Sequence, residues 1–285
     1  MRYPIILLCG QAGVGKSTAA DLLAVTRDFR VIGQADAIKE LVRNPFELDQ
    51  NALYGPSEAR NAYLPHLNSG EFKDKLDKAA VAFNQGVVCT GSSFIGQLWA
   101  LRDTMAAMAA GKAVIKLNRL LSAFFRGCAD QAATYRLNTR YILQQLGTEV
   151  GRAHDELIWT RATMAAALQA IEAGAPGVVV ADGRFRSEVL MADKYGATII
   201  RIDGETTLAG SQHVSEAELA TIPKHFFDAV VVNRKEQGLE AFQWLLNDCF
   251  NFIFEPAVFD QWADAKSAAD EDSGDTGTGE ADTNA

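Results

Sequence analysis

The residues of this chain that are best suited to chemistry begin at its tenth position, in the segment GQAGVGKS over residues 10–17. This segment satisfies the pattern G-x-x-x-x-G-K-[ST], in which glycines let successive backbone N–H groups converge on a phosphate. In this pattern Lys16 reaches the β- and γ-phosphates as a catalytic cation, and the Ser17 hydroxyl takes a Mg²⁺ position. The predicted triphosphate-binding residues are Gly10, Gln11, Ala12, Gly13, Val14, Gly15, Lys16, Ser17 and Thr18.

A second group of candidate residues follows the apolar stretch GVVVA at residues 177–181. Asp182 comes directly after this stretch, and Arg184 and Arg186 follow it. An NTPase that acts as a motor or switch usually needs a clear Walker B strand and groups that position water. Two arginines directly after such a strand are unusual in that class. Guanidinium groups beside a phosphate site suit the charge of a phosphoryl group in transfer. The pattern therefore favours a small kinase, with Asp182 and Arg184 as further catalytic residues.

The elements that position these residues are predicted from periodicity. Apolar runs predict strands over residues 5–9, 29–33, 177–181, 197–202 and 229–232. Helical patterns cover residues 16–25, 36–42, 136–150, 153–173, 187–194 and 236–250, and Asp36 is the predicted cap of the second.

Because strands alternate with helices, the fold class is α/β, a doubly wound parallel sheet of the P-loop NTPase or nucleotide-kinase-like type. Ligands of such sheets bind beyond the carboxyl ends of the strands. Gly10, Asp182 and Asn233 each follow a predicted strand, so we expect them along one edge.

The predicted domain organisation is one P-loop kinase domain over residues 1–250 with an acidic tail over 251–285. Within the domain, residues 44–135 form a largely helical acceptor-side insertion, in which 44–70 is predicted as a loop and 71–135 as mostly helical. The tail has nine acidic residues against one lysine and lacks large apolar residues after residue 267. We therefore predict disorder from about residue 267.

The composition is that of a soluble globular protein, at 48% hydrophobic and 22% charged residues. No stretch approaches the roughly 20 apolar residues that span a bilayer, so we expect no membrane partner and a cytoplasmic location, the host cytoplasm if the chain is viral. The four cysteines form no C-x-x-C pair, which favours reduced thiols over zinc or disulfides. A homodimer is a possible assembly that the sequence leaves open.

A basic segment lies within residues 101–140, where seven basic residues stand against two acidic ones. We interpret most of the seven as a solvated helix face, and the alternative is a phosphate-facing surface. The tail holds a net charge of −8 out of −9, so overall acidity does not exclude a nucleic-acid substrate. The basic residues are Arg102, Lys112, Lys116, Arg119, Arg126, Arg136 and Arg140.

Several segments occur together in an order that resembles the bacteriophage deoxynucleoside monophosphate kinases and their relatives. They are ILQQLGTEVGR (142–152), Trp159, VVVADGRFRSE (178–188), QHVSEAEL (212–219) and DAVVVN (228–233). The resemblance implies Mg²⁺ and ATP as donor, and a deoxynucleotide as acceptor. It implies an acceptor site formed by Arg140, Gly147, Trp159, Asp182, Arg184 and Glu188.

The chemistry of these residues agrees with such a site, although each also has a structural explanation. Trp159 can stack on a base or belong to the core. Arg140 and Arg184 can hold phosphate oxygens. Asp182 and Glu188 can accept hydrogen bonds from sugar or base, or hold the metal. By resemblance His213 lies in a lid-like segment, where it is either catalytic or simply precedes a capping box.

One departure from the family concerns Ala12, which stands where the monophosphate kinases carry a loop lysine that helps to hold the acceptor phosphate. Relatives that phosphorylate 5-hydroxymethyluracil in DNA use a neutral hydroxyl acceptor, which needs no such cation. The sequence therefore narrowly favours a 5-hydroxymethyluracil DNA kinase with Asp182 as base. The alternative is a deoxynucleoside monophosphate kinase, and a second alternative is a non-enzymatic nucleotide-dependent binding protein.

Overall fold

The computed structural model describes residues 4–11, 13–87, 93–204, 218 and 221–254. Its strands are β1 (Ile5–Cys9), β2 (Arg30–Ile32), β3 (Val178–Gly183), β4 (Thr198–Gly204) and β5 (Ala229–Asn233). They form one sheet in the order β2-β3-β1-β4-β5, and every pairing is parallel. The predicted α/β fold with a parallel sheet is confirmed, and β1 lies at its centre.

Helices surround the sheet and form most of the remaining described chain. They are α1 (Lys16–Arg27), α2 (Asp36–Arg43), α3 (Gln50–Tyr54), α4 (Ser57–Asn61), α5 (Gly70–Gln85), α6 (Ser93–Met108), α7 (Val114–Ala133), α8 (Thr139–Gln144), α9 (Ile158–Glu172), α10 (Arg186–Lys194) and α11 (Gly238–Phe254). A π-helical segment, Gln145–Arg152, continues α8.

The central strand β1 is buried on both of its faces, as expected for the middle of a doubly wound sheet. Successive side chains of a strand point to opposite faces. Ile5 and Leu7 accordingly pack with α9 and α10, whereas Ile6 and Leu8 pack with α1 and α11. This alternation explains why β1 is apolar at every position.

A third core lies among the helices that precede β3. It is formed by apolar residues of α2 and α5–α9, with Phe46, Phe83 and Phe125 among its largest fully buried side chains. Phe83 stacks on Trp99 and on Phe125, at ring-centroid distances of 4.4 and 5.4 Å. This helical layer gives the residues after α2 a core of their own beside the sheet.

The predicted loop over residues 44–70 is wrong, because this segment contains α3, α4 and a 3₁₀ turn at Pro65–Asn68. Five-residue helices are too short to show a 3.6-residue period. The sequence does contain a capping residue for α3, Asp49, whose carboxylate accepts a hydrogen bond from the Ala52 N–H at 2.7 Å.

One predicted helix cap and several predicted helix starts differ from the structure. Ala35 rather than Asp36 occupies the N-cap position of α2, without a side-chain capping hydrogen bond, and the Asp36 carboxylate instead accepts from the Gly33 N–H. The predicted helix over 136–150 starts at Thr139, because the Asn138 side chain caps it through the Tyr141 N–H. The helix predicted from residue 153 begins at Ile158. The last helix runs from Gly238 to Phe254, two residues later and four residues further than the predicted 236–250.

Some predictions fall outside the described residues, namely those on Ala12, on His213 and on the disorder of the tail. Within the described parts of the chain, no helix is long and apolar enough to cross a membrane.

Candidate active site

The phosphate loop joins the end of β1 to the start of α1, and its backbone requires glycine at Gly10 and Gly15 among other positions. Gly10 and Gly15 have φ values of 151° and 108°, which L side chains rarely adopt. A Cβ on Gly10 would collide with the Ile202 carbonyl oxygen, and one on Gly15 would lie 2.7 Å from the Phe242 ring. The loop backbone therefore depends on glycine at these positions, and the described residues of the loop fit a phosphate cradle.

Lys16 lies in the first turn of α1, where its side chain folds over the loop. Only 8% of its surface is exposed. Its ammonium donates to the carbonyl oxygens of Gly10 and Gln11, both at 2.7 Å. Ser17 is exposed beside it, and Thr18 is half-buried. The positive end of the helix dipole and a positioned cation therefore coincide at the loop.

The last strand and helix of the described chain hold this loop in place. The Asn233 side-chain amide at the end of β5 donates to the Val14 carbonyl oxygen at 2.8 Å. Phe242 of α11 packs where a Gly15 side chain would otherwise lie. Asn233 and Phe242, which lie about 220 positions further along the chain, thus hold the phosphate loop in place.

Asp182 lies beside the start of the loop, since β3 is a direct neighbour of β1 and Cys9 pairs with Gly183. Its Oδ1 accepts a hydrogen bond from the Gln34 N–H at 2.8 Å. Burial raises the pKa of its carboxyl above the ordinary value, and the nearby Arg184 guanidinium lowers it in part. Arg184 itself is exposed.

A cavity of about 200 Å³ opens next to this strand end. Five of the six residues predicted to bind the acceptor line it, namely Gly147, Trp159, Asp182, Arg184 and Glu188. These residues come from a π-helical segment, α9, the end of β3 and α10, so the fold brings together positions more than 40 residues apart. The site-residue predictions converge on one place, while their roles stay predictions.

Glu188 lies beneath the turn that contains Arg184 and is hydrogen-bonded to its backbone. Its Oε2 accepts hydrogen bonds from the N–H groups of Arg184 and Phe185, at 2.7 and 3.0 Å. Burial raises the pKa of this carboxyl to about 7, and the N–H donors oppose the shift while the charge of Asp182 adds to it. Glu188 therefore fixes the backbone at Arg184 and changes protonation near neutral pH.

Trp159 is both a core residue and part of the cavity wall. It is 6% exposed, and its indole N–H donates to the Gly147 carbonyl oxygen at 2.8 Å. A Cβ on Gly151 would collide with the indole, so this glycine of the LGTEVGR segment makes room for the ring. Stacking of Trp159 on a base stays a prediction.

Arg140 is the predicted acceptor residue that does not line the cavity. It is exposed on α8, and its guanidinium donates to the Ser57 hydroxyl at 2.9 Å.

Two residues that were not predicted from the sequence, Arg152 and Gln34, do line the cavity. The Arg152 guanidinium lies over the Phe185 ring at 3.8 Å. Its place at the end of the quoted LGTEVGR segment was a usable signal, whereas nothing local singled out Gln34.

A magnesium ion would find suitable ligands at this strand edge. Hydroxyl and carboxylate oxygens are what Mg²⁺ prefers, and it commonly uses one or two protein ligands together with substrate phosphates. Ser17 and Asp182 supply that set on neighbouring elements. Among the described residues no cluster of three or more His, Cys, Asp or Glu side chains is suited to hold a metal.

Comparison with known sequences gives one family. The family model described as deoxynucleotide monophosphate kinase matches residues 4–243. This match includes the phosphate loop, the helical layer and the cavity. A search of curated proteins returned no match.

Proposed function

The chain belongs to the deoxynucleotide monophosphate kinase family and is a phosphotransferase, and we propose that it transfers the γ-phosphoryl group of ATP to a free deoxynucleoside monophosphate. In this reaction the bond between the γ-phosphorus and the β–γ bridging oxygen breaks. A bond to an oxygen of the acceptor phosphate forms, and the products are ADP and a deoxynucleoside diphosphate.

The observation that carries this proposal is the pairing of β1 with β3. Cys9 lies opposite Gly183, so the strand that leads into the phosphate loop and the strand that leads into the cavity end side by side. A donor in the loop and an acceptor in the cavity would therefore present their phosphates to each other. Such placement is the main way in which enzymes accelerate phosphoryl transfer.

The preference for a 5-hydroxymethyluracil DNA kinase, which depended on the missing loop lysine, is not supported. The family match favours the alternative, a monophosphate kinase. The cavity also supplies other cations, because Arg152 and Arg184 both line it. Two guanidinium groups are well suited to a phosphate dianion, so a loop lysine is dispensable for a phosphate acceptor too.

The proposed reaction gives a task to each charged side chain at the phosphate loop and at the end of β3. Lys16 and Arg184 neutralise charge on the phosphoryl group in transfer. A bound Mg²⁺ would be held by Ser17 and Asp182 and would offset charge on the phosphates. Since a phosphate acceptor is already anionic, Asp182 need not act as a base here, and its place at the loop suits a metal ligand.

The acceptor is tested by supplying ATP labelled at the γ-phosphate with dTMP, with dGMP or with DNA containing 5-hydroxymethyluracil. The proposal predicts label in dTDP or dGDP and none in the DNA. Label in the DNA alone would overturn it in favour of the DNA kinase. Nucleotide binding without transfer to any acceptor would favour the non-enzymatic binding protein.

A further inference from the structure

Gln34 lines the acceptor cavity and carries a buried amide group. The residue is 9% exposed, and within the described chain neither the amide oxygen nor the amide nitrogen has a hydrogen-bond partner. The residue follows β2, and its backbone N–H is held by Asp182. The position of the residue is therefore fixed, while its side-chain amide is unused.

A buried amide without partners is unfavourable in the protein alone, and most buried polar groups are paired. Such an exception calls for an explanation, and a ligand that completes the pairing is one. Because Gln34 lines the same cavity as Trp159 and Arg184, the ligand in question is the acceptor nucleotide of the proposed function. This inference therefore rests on that function.

The base is the part of the nucleotide that matches Gln34. A neutral amide with one acceptor and two donors complements the edge of a base, as glutamine does when it pairs with adenine. The cationic groups that suit a phosphate, Arg152 and Arg184, are only half-buried or exposed. The walls that accompany Gln34 include the buried Ile38 and Trp159, which suit a flat aromatic ring.

We infer that the side-chain amide of Gln34 forms hydrogen bonds with the acceptor base and can do so in either of two orientations. No hydrogen bond within the described chain fixes which way the amide faces. One orientation pairs with the keto and N–H groups of thymine, and the other with the amino group and ring nitrogen of cytosine. Gln34 thus contributes affinity for the base without choosing between these two edges.

The test measures binding by calorimetry, using the full chain without ATP and dTMP, dCMP or deoxyribose 5-phosphate as probes. Gln34→Leu should weaken binding of dTMP and dCMP about tenfold each, the effect of losing one or two hydrogen bonds. It should leave deoxyribose 5-phosphate unchanged, because that probe has no base. Gln85→Leu, an exposed glutamine at the end of α5, is the matched control and should change nothing.

Thermal stability distinguishes a role of Gln34 in base binding from a purely structural role. Gln34→Leu removes an unpaired buried amide, so the melting temperature without ligand should stay equal or rise. A lower melting temperature with unchanged affinity for dTMP and dCMP would overturn the inference. If Gln34→Leu does not fold, Gln34→Met serves as the second variant with the same expected losses.

Two other results would contradict the inference. An equal loss for deoxyribose 5-phosphate would assign Gln34 to sugar or phosphate, and a loss for only one of the two bases would show a fixed amide. Failure of the proposed function looks different, because the wild-type protein would then transfer no label to a monophosphate whatever residue 34 does.

Discussion

The donor side and the acceptor side of this active site are built in different ways. The phosphate loop is one contiguous segment whose chemistry comes mainly from its backbone and from Lys16. The acceptor cavity draws on side chains from residue 34 to residue 188, on at least five separate elements or connections. The donor side is therefore contiguous in sequence, whereas the residues of the acceptor side are close together only in the folded protein.

The difference shows what each side depends on. The donor side requires a backbone conformation, which glycine permits at Gly10 and Gly15. The acceptor side requires buried polar groups, such as Glu188 and Gln34, whose behaviour is set by the surroundings that the fold gives them. Substitutions should therefore abolish catalysis on the donor side and change affinity or pH response on the acceptor side.

The largest effect is expected from Lys16→Met, which removes the cation of the donor side. We expect kcat to fall by about 1,000-fold or more, since the charge in transfer loses its nearest ammonium. Affinity for dTMP should stay unchanged. Steady-state kinetics with Lys78→Met, an exposed lysine of α5, as control would check this. Near-normal turnover in folded Lys16→Met would contradict the role of the loop.

Arg184→Ala tests the side chain that the two sides share. Its position after β3 places it at the cavity and next to the loop, so both kcat and dTMP affinity should suffer. A fall of about 100-fold in kcat/KM is expected from loss of one phosphate-stabilising group. Arg126→Ala, on the exposed face of α7 that we interpret as solvated, should behave as wild type. An effect confined to ATP affinity would instead assign Arg184 to the donor side alone.

Gly15→Ala tests the backbone requirement of the donor side. At φ 108° an alanine is strained, and its Cβ would press on Phe242, so unfolding free energy should fall by about 2 kcal/mol. Gly96→Ala in α6 is the matched control, because its Cβ meets nothing within 4 Å. Helix propensity predicts that this control gains up to about 1 kcal/mol. Denaturant titration measures both, and equal stability of the two variants would contradict the account of Gly15.

The last effect is on the pH dependence of stability and concerns Glu188. Its folded-state pKa of about 7 lies above the ordinary value of 4.5, so the folded protein holds this proton more tightly than the unfolded chain. The resulting stabilisation is present below about pH 4.5 and is lost as pH rises to about 7. Over that window wild type should lose about 3 kcal/mol more than Glu188→Gln, whose side-chain oxygen can still accept from the turn.

Denaturant titrations at pH 4.5 and pH 8 would measure this difference. Glu172→Gln, an exposed position at the end of α9, should leave the wild-type profile unchanged. Parallel profiles for wild type and Glu188→Gln would show that the buried carboxyl does not hold a proton in this range.

The same contrast explains how much the sequence could predict. The loop, the parallel sheet and the convergence of Asp182 and Arg184 follow from local patterns, since a strand end and a glycine spacing are visible in the residues themselves. The short helices α3 and α4 escaped because five residues show no period. Gln34 could not be predicted because its burial, and the lack of partners for its amide within the described residues, exist only in the folded chain. Arg140 was included by resemblance, and its position on α8 places it outside the cavity.

The adjacency of donor and acceptor sites is tested most directly by the affinity for adenosine and thymidine joined through five phosphates. If the phosphate loop and the cavity face each other across the β1–β3 edge, this compound occupies both and gains from linkage. Its Kd should then be at least about 100-fold below that of ATP or dTMP alone. A Kd no lower than that of ATP would contradict the account.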